Sequence, residues 1–287
     1  TYERSAEVNA MKINVLIDNE TRMPGIITEH GLSLLIEDED QRILFDFGQS
    51  EAYYNNVVQM KMDLSSVCVA VISHGHYDHT GGALRFASDY PMVPIFVREN
   101  ALLPRFADRG KQIMEYIGMP KDLLELKNLR LIQTDEVFEL SERAILFSTN
   151  VADFPEPEGN SKLFEKGLAG NYIRDVFAHE QNLLVQTGNR RVLFCGCAHR
   201  GIANIMQWVY NQYGAFPDDV IGGFHLRYQP DASLSVPQEL QDIARFLKHT
   251  GSQLYTMHCT GLPAFQYLKR VLGDQIEYAF AGSTIEI

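Results

Sequence analysis

The chain has 287 residues, of which 45% are hydrophobic and 22% are charged, a composition typical of a soluble globular protein. These values exclude collagen, coiled-coil and disordered classes, and no apolar run approaches the roughly 20 residues that a membrane helix needs. With 37 acidic and 25 basic residues the formal net charge is −12, so neither nucleic acid nor a membrane surface is expected as a partner.

Strands and helices alternate along the chain, which predicts a layered α/β architecture. In chain order, the predicted elements are strands at residues 11–18, 31–37, 42–47 and 67–73, a helix from residue 81, a hairpin of strands at 182–187 and 191–195, a helix at 201–210, a helix at 240–250, a strand at 253–257 and a helix at 262–272.

The domain organisation is predicted from length and from the two segments that break this alternation. We expect one domain over residues 11–287, because no linker or repeat divides the chain. Residues 1–10 lack the features of a secretory signal and are predicted as an N-terminal extension. Residues 100–130, predicted as helical, and residues 150–172, predicted as a long loop, are expected as insertions over the functional site.

Four cysteines are too few for a disulfide scaffold, which predicts a cytoplasmic protein.

Three predicted strands end in loops that carry histidine or cysteine, and a helix follows each loop. The segments are VIS-HGHYDH-TGG, LFCGCAH-RGI and LYTMH-CTG. Five of the nine histidines lie on these loops: His74, His76, His79, His199 and His258. Because ligand sites in layered α/β proteins lie at the carboxyl ends of strands, we expect one shared site.

The segment from His74 to His79, HGHYDH, carries three imidazoles and one carboxylate within six residues. These groups suit zinc, iron or manganese. Two such ions about 3.5–4 Å apart form a familiar hydrolytic site. The predicted cofactor is therefore one or two divalent metal ions, zinc in the first place, with iron or manganese as alternatives.

The HxHxDH motif after an apolar strand, together with the preceding hairpin GLSLLIE…ILFDFG, resembles the metallo-β-lactamase superfamily. The resemblance implies an α/β fold built as a four-layer αββα sandwich. It also implies that His74 and His76 hold metal 1, and that Asp78 and His79 hold metal 2.

The resemblance further implies a third histidine for metal 1, an acid that bridges both metals and a final histidine. Cys197 stands where the bridging acid is expected, and a thiolate is a good ligand for zinc or iron. His179, one strand and a turn earlier, is the expected third histidine, and His199 is the alternative ligand or a neighbour of the ligands. His258 matches the final histidine. Cys259 is expected to point away from His258 and not to bind metal.

Five further residues are assigned supporting or catalytic roles. By resemblance, Asp46 hydrogen-bonds a metal-bound histidine. Asp78 and His225 are predicted as catalytic residues. His30 and Arg200 are predicted to meet the substrate, Arg200 through a phosphate at the start of a helix.

The motifs EHGLS, HGHYDHTGG, GCAHRGIANI, GGFHL and HCTG resemble a narrower subgroup, related to the methanopterin-pathway synthase that joins a dihydropterin diphosphate to ribofuranosylaminobenzene phosphate. Three hypotheses follow. The first is an enzyme that hydrolyses a small phosphorylated or ester substrate through a metal-bound hydroxide. The second is a pterin-type transferase that uses the same site. The third is a mononuclear metal-binding or redox module without hydrolase activity. Either enzyme would act on a small-molecule substrate. A homo-oligomer is compatible with the sequence.

Overall fold

The computed structural model describes residues 10–39, 41–110, 113–167, 169–226, 228 and 236–287. Within these ranges the chain forms 18 strands and six α-helices. In chain order, the strands are β1 (Lys12–Ile17), β2 (Ser33–Asp38), β3 (Gln41–Phe45), β4 (Val69–Val71), β5 (Ile95–Arg98), β6 (Arg105–Asp108), β7 (Met114–Tyr116), β8 (Leu129–Ile132), β9 (Phe138–Ser141), β10 (Ala144–Phe147), β11 (Leu163–Lys166), β12 (Tyr172–Arg174), β13 (Asn182–Thr187), β14 (Arg190–Cys195), β15 (Asp219–Gly222), β16 (Gln253–Thr256), β17 (Ile276–Tyr278) and β18 (Thr284–Glu286). The helices are α1 (Ala52–Gln59), α2 (Tyr77–Thr80), α3 (Ala83–Asp89), α4 (Ile202–Tyr213), α5 (Gln238–Thr250) and α6 (Gly261–Leu272).

Two seven-stranded sheets form the centre of the fold. Their strand orders are β18-β1-β2-β3-β4-β5-β8 and β17-β16-β15-β14-β13-β10-β9. In the first sheet β3, β4, β5 and β8 run parallel, and in the second β14, β15, β16 and β17 run parallel. Each sheet therefore has one edge where several carboxyl strand ends meet.

Side chains alternate between the two faces of each strand, and this alternation produces the layers. In β2, Leu34 and Ile36 pack with Phe194 of the second sheet, whereas Leu35 packs with Tyr53 of α1. A third cluster joins the outer face of the second sheet to α4, α5 and α6. The order helix, sheet, sheet, helix confirms the predicted four-layer αββα sandwich.

The predicted helix in residues 100–130 is wrong. The segment contains β6, β7 and β8 with a short 3-10 turn at Lys121–Glu125. β6 and β7 form a four-stranded sheet with β11 and β12, in the order β12-β11-β6-β7. The predicted long loop at residues 150–172 is therefore also wrong in part, because it contains a 3-10 turn at Glu158–Lys162, the strand β11 and the first residue of β12. Ala107, Ile117, Leu163 and Phe177 form the small apolar cluster of this four-stranded sheet, and this tertiary contact overrides the local helical pattern.

The remaining predicted elements are confirmed with small shifts of their ends, including the hairpin that turns at Gly188 and Asn189. The predicted extension, residues 1–10, lies outside the described residues except for residue 10. Among the helices of the described part, none combines the length and apolar character that crossing a bilayer requires.

Candidate metal centre

Loops from both large sheets bring the predicted site residues together. His74, His76, Asp78 and His79 follow β4, while Cys197 and His199 follow β14 and His258 follows β16. All seven side chains are buried. The structure thus places at one edge of the sandwich the three loops that the sequence analysis grouped.

One half of the centre is formed by His74, His76 and His199, each of which has a ring nitrogen within 4.8 Å of the others. Nε2 of His74 lies 3.0 Å from Nδ1 of His76. Nε2 of His76 and Nε2 of His199 are buried and have no hydrogen-bond partner among the described residues. Unpartnered buried nitrogens are costly, so this half has the donor atoms of a cation site.

Hydrogen bonds fix the tautomer of His74. The carboxylate of Asp46 can only accept, so the Ser73 hydroxyl donates to Asp46 Oδ2 at 2.7 Å. The Ser73 oxygen then accepts a hydrogen bond from His74 Nδ1 at 2.9 Å. Nε2 of His74 is therefore the unprotonated nitrogen, which is the form that binds metal.

The tautomer of His199 is fixed in the same way by Asn160. The amide Nδ2 of Asn160 donates to the His199 carbonyl at 2.7 Å, so its Oδ1 accepts from His199 Nδ1 at 3.0 Å. Nε2 of His199 is left free. His199 was predicted as the alternative to His179, and it supplies the third nitrogen of this half.

His179 lies in the same region but has no free nitrogen. Its Nδ1 accepts from the backbone N–H of Gly75 at 3.0 Å, and its Nε2 donates to Asp175 at 3.1 Å. Both ring positions are used by the protein. The predicted role of His179 as a metal ligand does not fit this arrangement; the residue instead supports the backbone between His74 and His76.

The other half contains Asp78, His79 and His258. Oδ2 of Asp78 lies 3.6 Å from Nε2 of His79 and 3.3 Å from Nε2 of His258. His79 donates through Nδ1 to Asp46 at 2.6 Å, and His258 donates through Nδ1 to Asn19 at 2.9 Å. Both Nε2 atoms therefore face Asp78.

Cys197 lies between the two halves. Its Sγ is 3.2 Å from Nε2 of His79, and it also lies within 4.8 Å of ring nitrogens of His74 and His199. This central place agrees with the bridging position that the sequence predicts. Cys259, which was expected to point away, also lines the cavity, and its Sγ is within 4.8 Å of that of Cys197.

The loops of the centre require unusual backbone conformations. Asp46, Ala198, His225 and His258 have φ between 50° and 60°, in the left-handed region that is unfavourable for residues with a side chain. A Cβ at Gly196 would lie 2.1 Å from Ser73 Oγ, so only glycine permits this approach of the two sheets. Strain at four positions in one small region is typical of a functional site.

Burial sets the protonation of the imidazoles. Burial, reinforced by neighbouring imidazoles, lowers the pKa of His74 and His199 well below the usual value and that of His76 to about 3. Burial alone would raise the pKa of Asp78, but His79 and His258 hold it below its usual value. Burial also opposes the charge on His258, yet its hydrogen bond with Asp78 raises the pKa of His258 to about 9. A proton thus takes the place that a cation would take in this half.

A cavity of about 500 Å³ opens onto the centre. His225 and His30 line it, as do Ala107 and Leu163 of the small sheet. His225 has no hydrogen-bond partner for either ring nitrogen among the described residues, and Nε2 of the half-exposed His30 lies 3.3 Å from Asp78. Arg200 is not among the described lining residues: it pairs with Glu156 at 2.7 Å and donates to the Val176 carbonyl.

The residues present fit divalent metal ions. The donor set consists of imidazole, carboxylate and thiolate, which suits zinc or iron. In the first half, the Nε2 atoms of His76 and His199 lack partners among the described residues, and the low pKa values of His74, His76 and His199 keep these imidazoles deprotonated, as metal binding requires. In the other half, a metal ion would displace the proton of His258.

Comparison with known proteins agrees with this geometry. Residues 27–240 match the model of the Metallo-beta-lactamase superfamily. The chain is 28% identical to a 7,8-dihydropterin-6-methyl-4-(beta-D-ribofuranosyl)-aminobenzene-5'-phosphate synthase of Methanocaldococcus jannaschii. That match covers 90% of this chain and 90% of the synthase. It is also 28% identical to the uncharacterized protein MJ0448 of that organism, over 96% of this chain and all of that one.

A solved structure is similar over nearly the whole chain. The crystal structure of Tm1679, a metal-dependent hydrolase of the beta-lactamase superfamily, has a TM-score of 0.80 and 28% identity and covers 96% of this chain and 99% of its own. Both the fold and the subgroup suggested by the motifs are supported by these matches.

The sequence analysis did not predict the three residues that orient the histidines: Ser73, Asn160 and Asn19. It also did not predict Glu180, which accepts hydrogen bonds from the backbone N–H groups of His199 and Arg200 at 2.6 and 2.9 Å. Ser73 and Asn19 stand just beyond strand ends, and that position was the available signal. Asn160 had none, because its segment was predicted only as a loop.

Proposed function

The chain belongs to the metallo-β-lactamase superfamily, and on that premise we propose that it is a metal-dependent hydrolase of a small phosphorylated or ester substrate. The observation that carries the proposal is the convergence of the buried Nε2 atoms of His76 and His199, both without a hydrogen-bond partner among the described residues, on a cavity that Asp78, Cys197 and His258 also line. Burying imidazoles without partners is unfavourable, and ligation of a cation removes that cost.

The residues divide into two ligand groups. His74, His76 and His199 would hold one ion, and Asp78, His79 and His258 would hold a second, with Cys197 between them. Bound divalent ions would polarise the substrate and lower the pKa of a coordinated water. Zinc fits the mixed nitrogen, oxygen and sulfur donors, and iron or manganese are the alternatives.

The remaining cavity residues supply substrate contacts. His225 lies beside His199, with ring centroids 4.3 Å apart, and its ring nitrogens have no partner within the described part of the chain. It would exchange a hydrogen bond or proton with the substrate. His30 reaches Asp78 from the solvent side. Arg109 lines the cavity, pairs with Glu115 and would attract an anionic group such as phosphate.

A transferase is the second candidate, favoured by the identity to the methanopterin-pathway synthase. In that case the same ions would bind the diphosphate of a dihydropterin, and an aromatic amine derivative rather than water would displace it. The ligand groups would be unchanged, because they would hold the same ions in either reaction.

Product analysis tests the two candidates. The zinc-loaded protein is incubated in ¹⁸O-labelled water with phosphoesters, carboxylic esters and pterin diphosphates, the last with and without ribofuranosylaminobenzene phosphate. ¹⁸O in the released product supports the hydrolase, and a joined product supports the transferase. His76→Ala is the control and should lose metal and turnover together. No turnover of any substrate by a fully metal-loaded protein would contradict both candidates.

A further inference from the structure

Cys259 faces the metal centre although it is adjacent to His258 in the chain. In an extended segment, neighbouring side chains point to opposite sides, and Cys259 would then face away. Residues His258–Thr260 instead form a 3-10 turn, and His258 has a φ of 50°. Both side chains therefore reach the same cavity.

The sulfur of Cys259 lies among ligand atoms. Its Sγ, the Sγ of Cys197 and a ring nitrogen of His258 are all within 4.8 Å of one another. Two sulfurs and one nitrogen that share a four- or five-coordinate zinc ion, with bonds of about 2.3 and 2.1 Å, lie roughly 3–4 Å apart. The three donor atoms can approach one ion with only small side-chain movements.

The surroundings of Cys259 suit a metal-bound thiolate. The backbone N–H of His225 points at its Sγ at 3.3 Å, as expected of a donor that stabilises negative sulfur. The thiol itself donates to the Cys197 carbonyl at 3.6 Å, and a metal ion would replace that proton. Gly223 makes room for the sulfur, because a Cβ at that position would lie 2.5 Å from it. A side chain at Gly223 would therefore displace the sulfur.

We propose that Cys259 is a second thiolate ligand, so that the Asp78 half of the centre binds its ion through two sulfurs and selects Zn²⁺, Co²⁺ or Fe²⁺ over Mn²⁺ and Mg²⁺. This assignment rests on the proposed metal centre and adds a ligand to it. Thiolates prefer these softer ions, whereas carboxylates, carbonyls and water suit Mg²⁺ and Mn²⁺. Metal selectivity would then be determined by the pair Cys197 and Cys259.

Cobalt substitution tests the proposal. Metal-free protein is titrated with Co²⁺, and the near-ultraviolet charge-transfer band is followed, since its intensity increases with the number of Co–S bonds. The variants are Cys259→Ser, Cys197→Ser and, as a matched control, Cys68→Ser, whose exposed thiol contacts only the Arg42 carbonyl among the described residues. We expect Cys259→Ser to lose roughly a third to a half of the band, depending on whether Cys197 contacts one ion or two. Cys68→Ser should keep it in full.

Full band intensity in folded Cys259→Ser would overturn the proposal. The same titration, repeated in competition with Mn²⁺, should show a smaller preference for Co²⁺ in Cys259→Ser than in the wild type. If the variant fails to fold, X-ray absorption of the zinc-loaded wild type counts the Zn–S bonds, and a count explained by Cys197 alone contradicts the proposal. If the wild type binds no Co²⁺ at all, the metal centre itself is refuted, which separates that failure from a wrong assignment of Cys259.

Discussion

Oδ2 of Asp46 lies 2.6 Å from Nδ1 of His79, and both side chains are fully buried. The same oxygen accepts the Ser73 hydroxyl, which in turn orients His74. One carboxylate therefore fixes a histidine in each half of the centre. Loss of such a partner typically lowers metal affinity by about 10–100-fold.

Asp46→Asn should weaken metal binding to that extent, because Asp46 accepts through both oxygens. Oδ1 accepts from the Ser73 N–H at 2.7 Å and Oδ2 from the Ser73 hydroxyl and His79, so an amide would turn its NH₂ group toward one of these donors. The dissociation constant is measured by competition with a chromophoric chelator. Asp219→Asn is the matched control, because Asp219 is buried and paired with Arg190 at the opposite end of β15. Equal affinities of Asp46→Asn and the wild type would contradict the role given to Asp46.

His199→Ala and His179→Gln should separate the two candidates for the third histidine. We expect His199→Ala to lose about one ion per chain and His179→Gln to keep the wild-type content. Of these two histidines, His199 is the one with a ring nitrogen that has no hydrogen-bond partner among the described residues. Elemental analysis gives the metal content of both variants, and circular dichroism checks that they are folded. The reverse pattern would restore His179 as the ligand.

Arg105 connects the small sheet to the metal loop. It pairs with Glu165 at 2.9 Å and Asp175 at 3.2 Å, and Asp175 in turn holds His179. Arg105→Met should destabilise the protein by about 3–5 kcal/mol, because it leaves the buried Asp175 without its cation. Urea denaturation gives the free energy of unfolding.

The control for Arg105→Met is Arg85→Met, which removes the solvent-exposed pair with Asp89 and should change the free energy of unfolding far less. Adding Asp175→Asn to Arg105→Met should recover part of the loss, since the uncompensated charge is then gone. A loss no larger than that of Arg85→Met would show that the Arg105 pair is not needed for stability.

Glu180 should make the stability of the metal-free protein depend on pH. Burial raises the pKa of Glu180 from its ordinary value of 4.5 to about 7, although two backbone N–H groups oppose the shift. Between those values the folded chain holds a proton that the unfolded chain has lost. Stability from this group is therefore complete below about pH 4.5, falls as pH rises to about 7, and then stays level.

The full change is on the order of 3 kcal/mol. Glu180→Gln removes the titrating group, so the difference in unfolding free energy between variant and wild type should shift across this interval. The measurement is chemical denaturation from pH 5 to 8. A difference that stays constant over the interval would mean that Glu180 does not retain its proton in the fold.

Local patterns were sufficient to predict a layered α/β fold and the meeting of three loops, because strand periodicity and strand ends are properties of short segments. The four-layer sandwich was predicted only from the resemblance that the HxHxDH motif carries. Local patterns could not decide whether His179 or His199 is the third histidine of the first half. That choice depends on hydrogen bonds from Gly75, Asp175 and Asn160, two of which lie far from their histidine in sequence. The direction of the Cys259 side chain was predicted wrongly for a different reason. Side chains were assumed to alternate as in an extended segment, whereas the chain forms a 3-10 turn there.

The ligand groups come from both large sheets, with His74, His76, Asp78 and His79 on one side and Cys197, His199 and His258 on the other. Neither sheet alone supplies a complete set. A bound ion would therefore cross-link the two halves of the sandwich, and its binding free energy would be added to folding only once the halves have docked. Metal uptake during refolding would then report the docking of the two sheets. A chelator would destabilise the docked state of the whole protein.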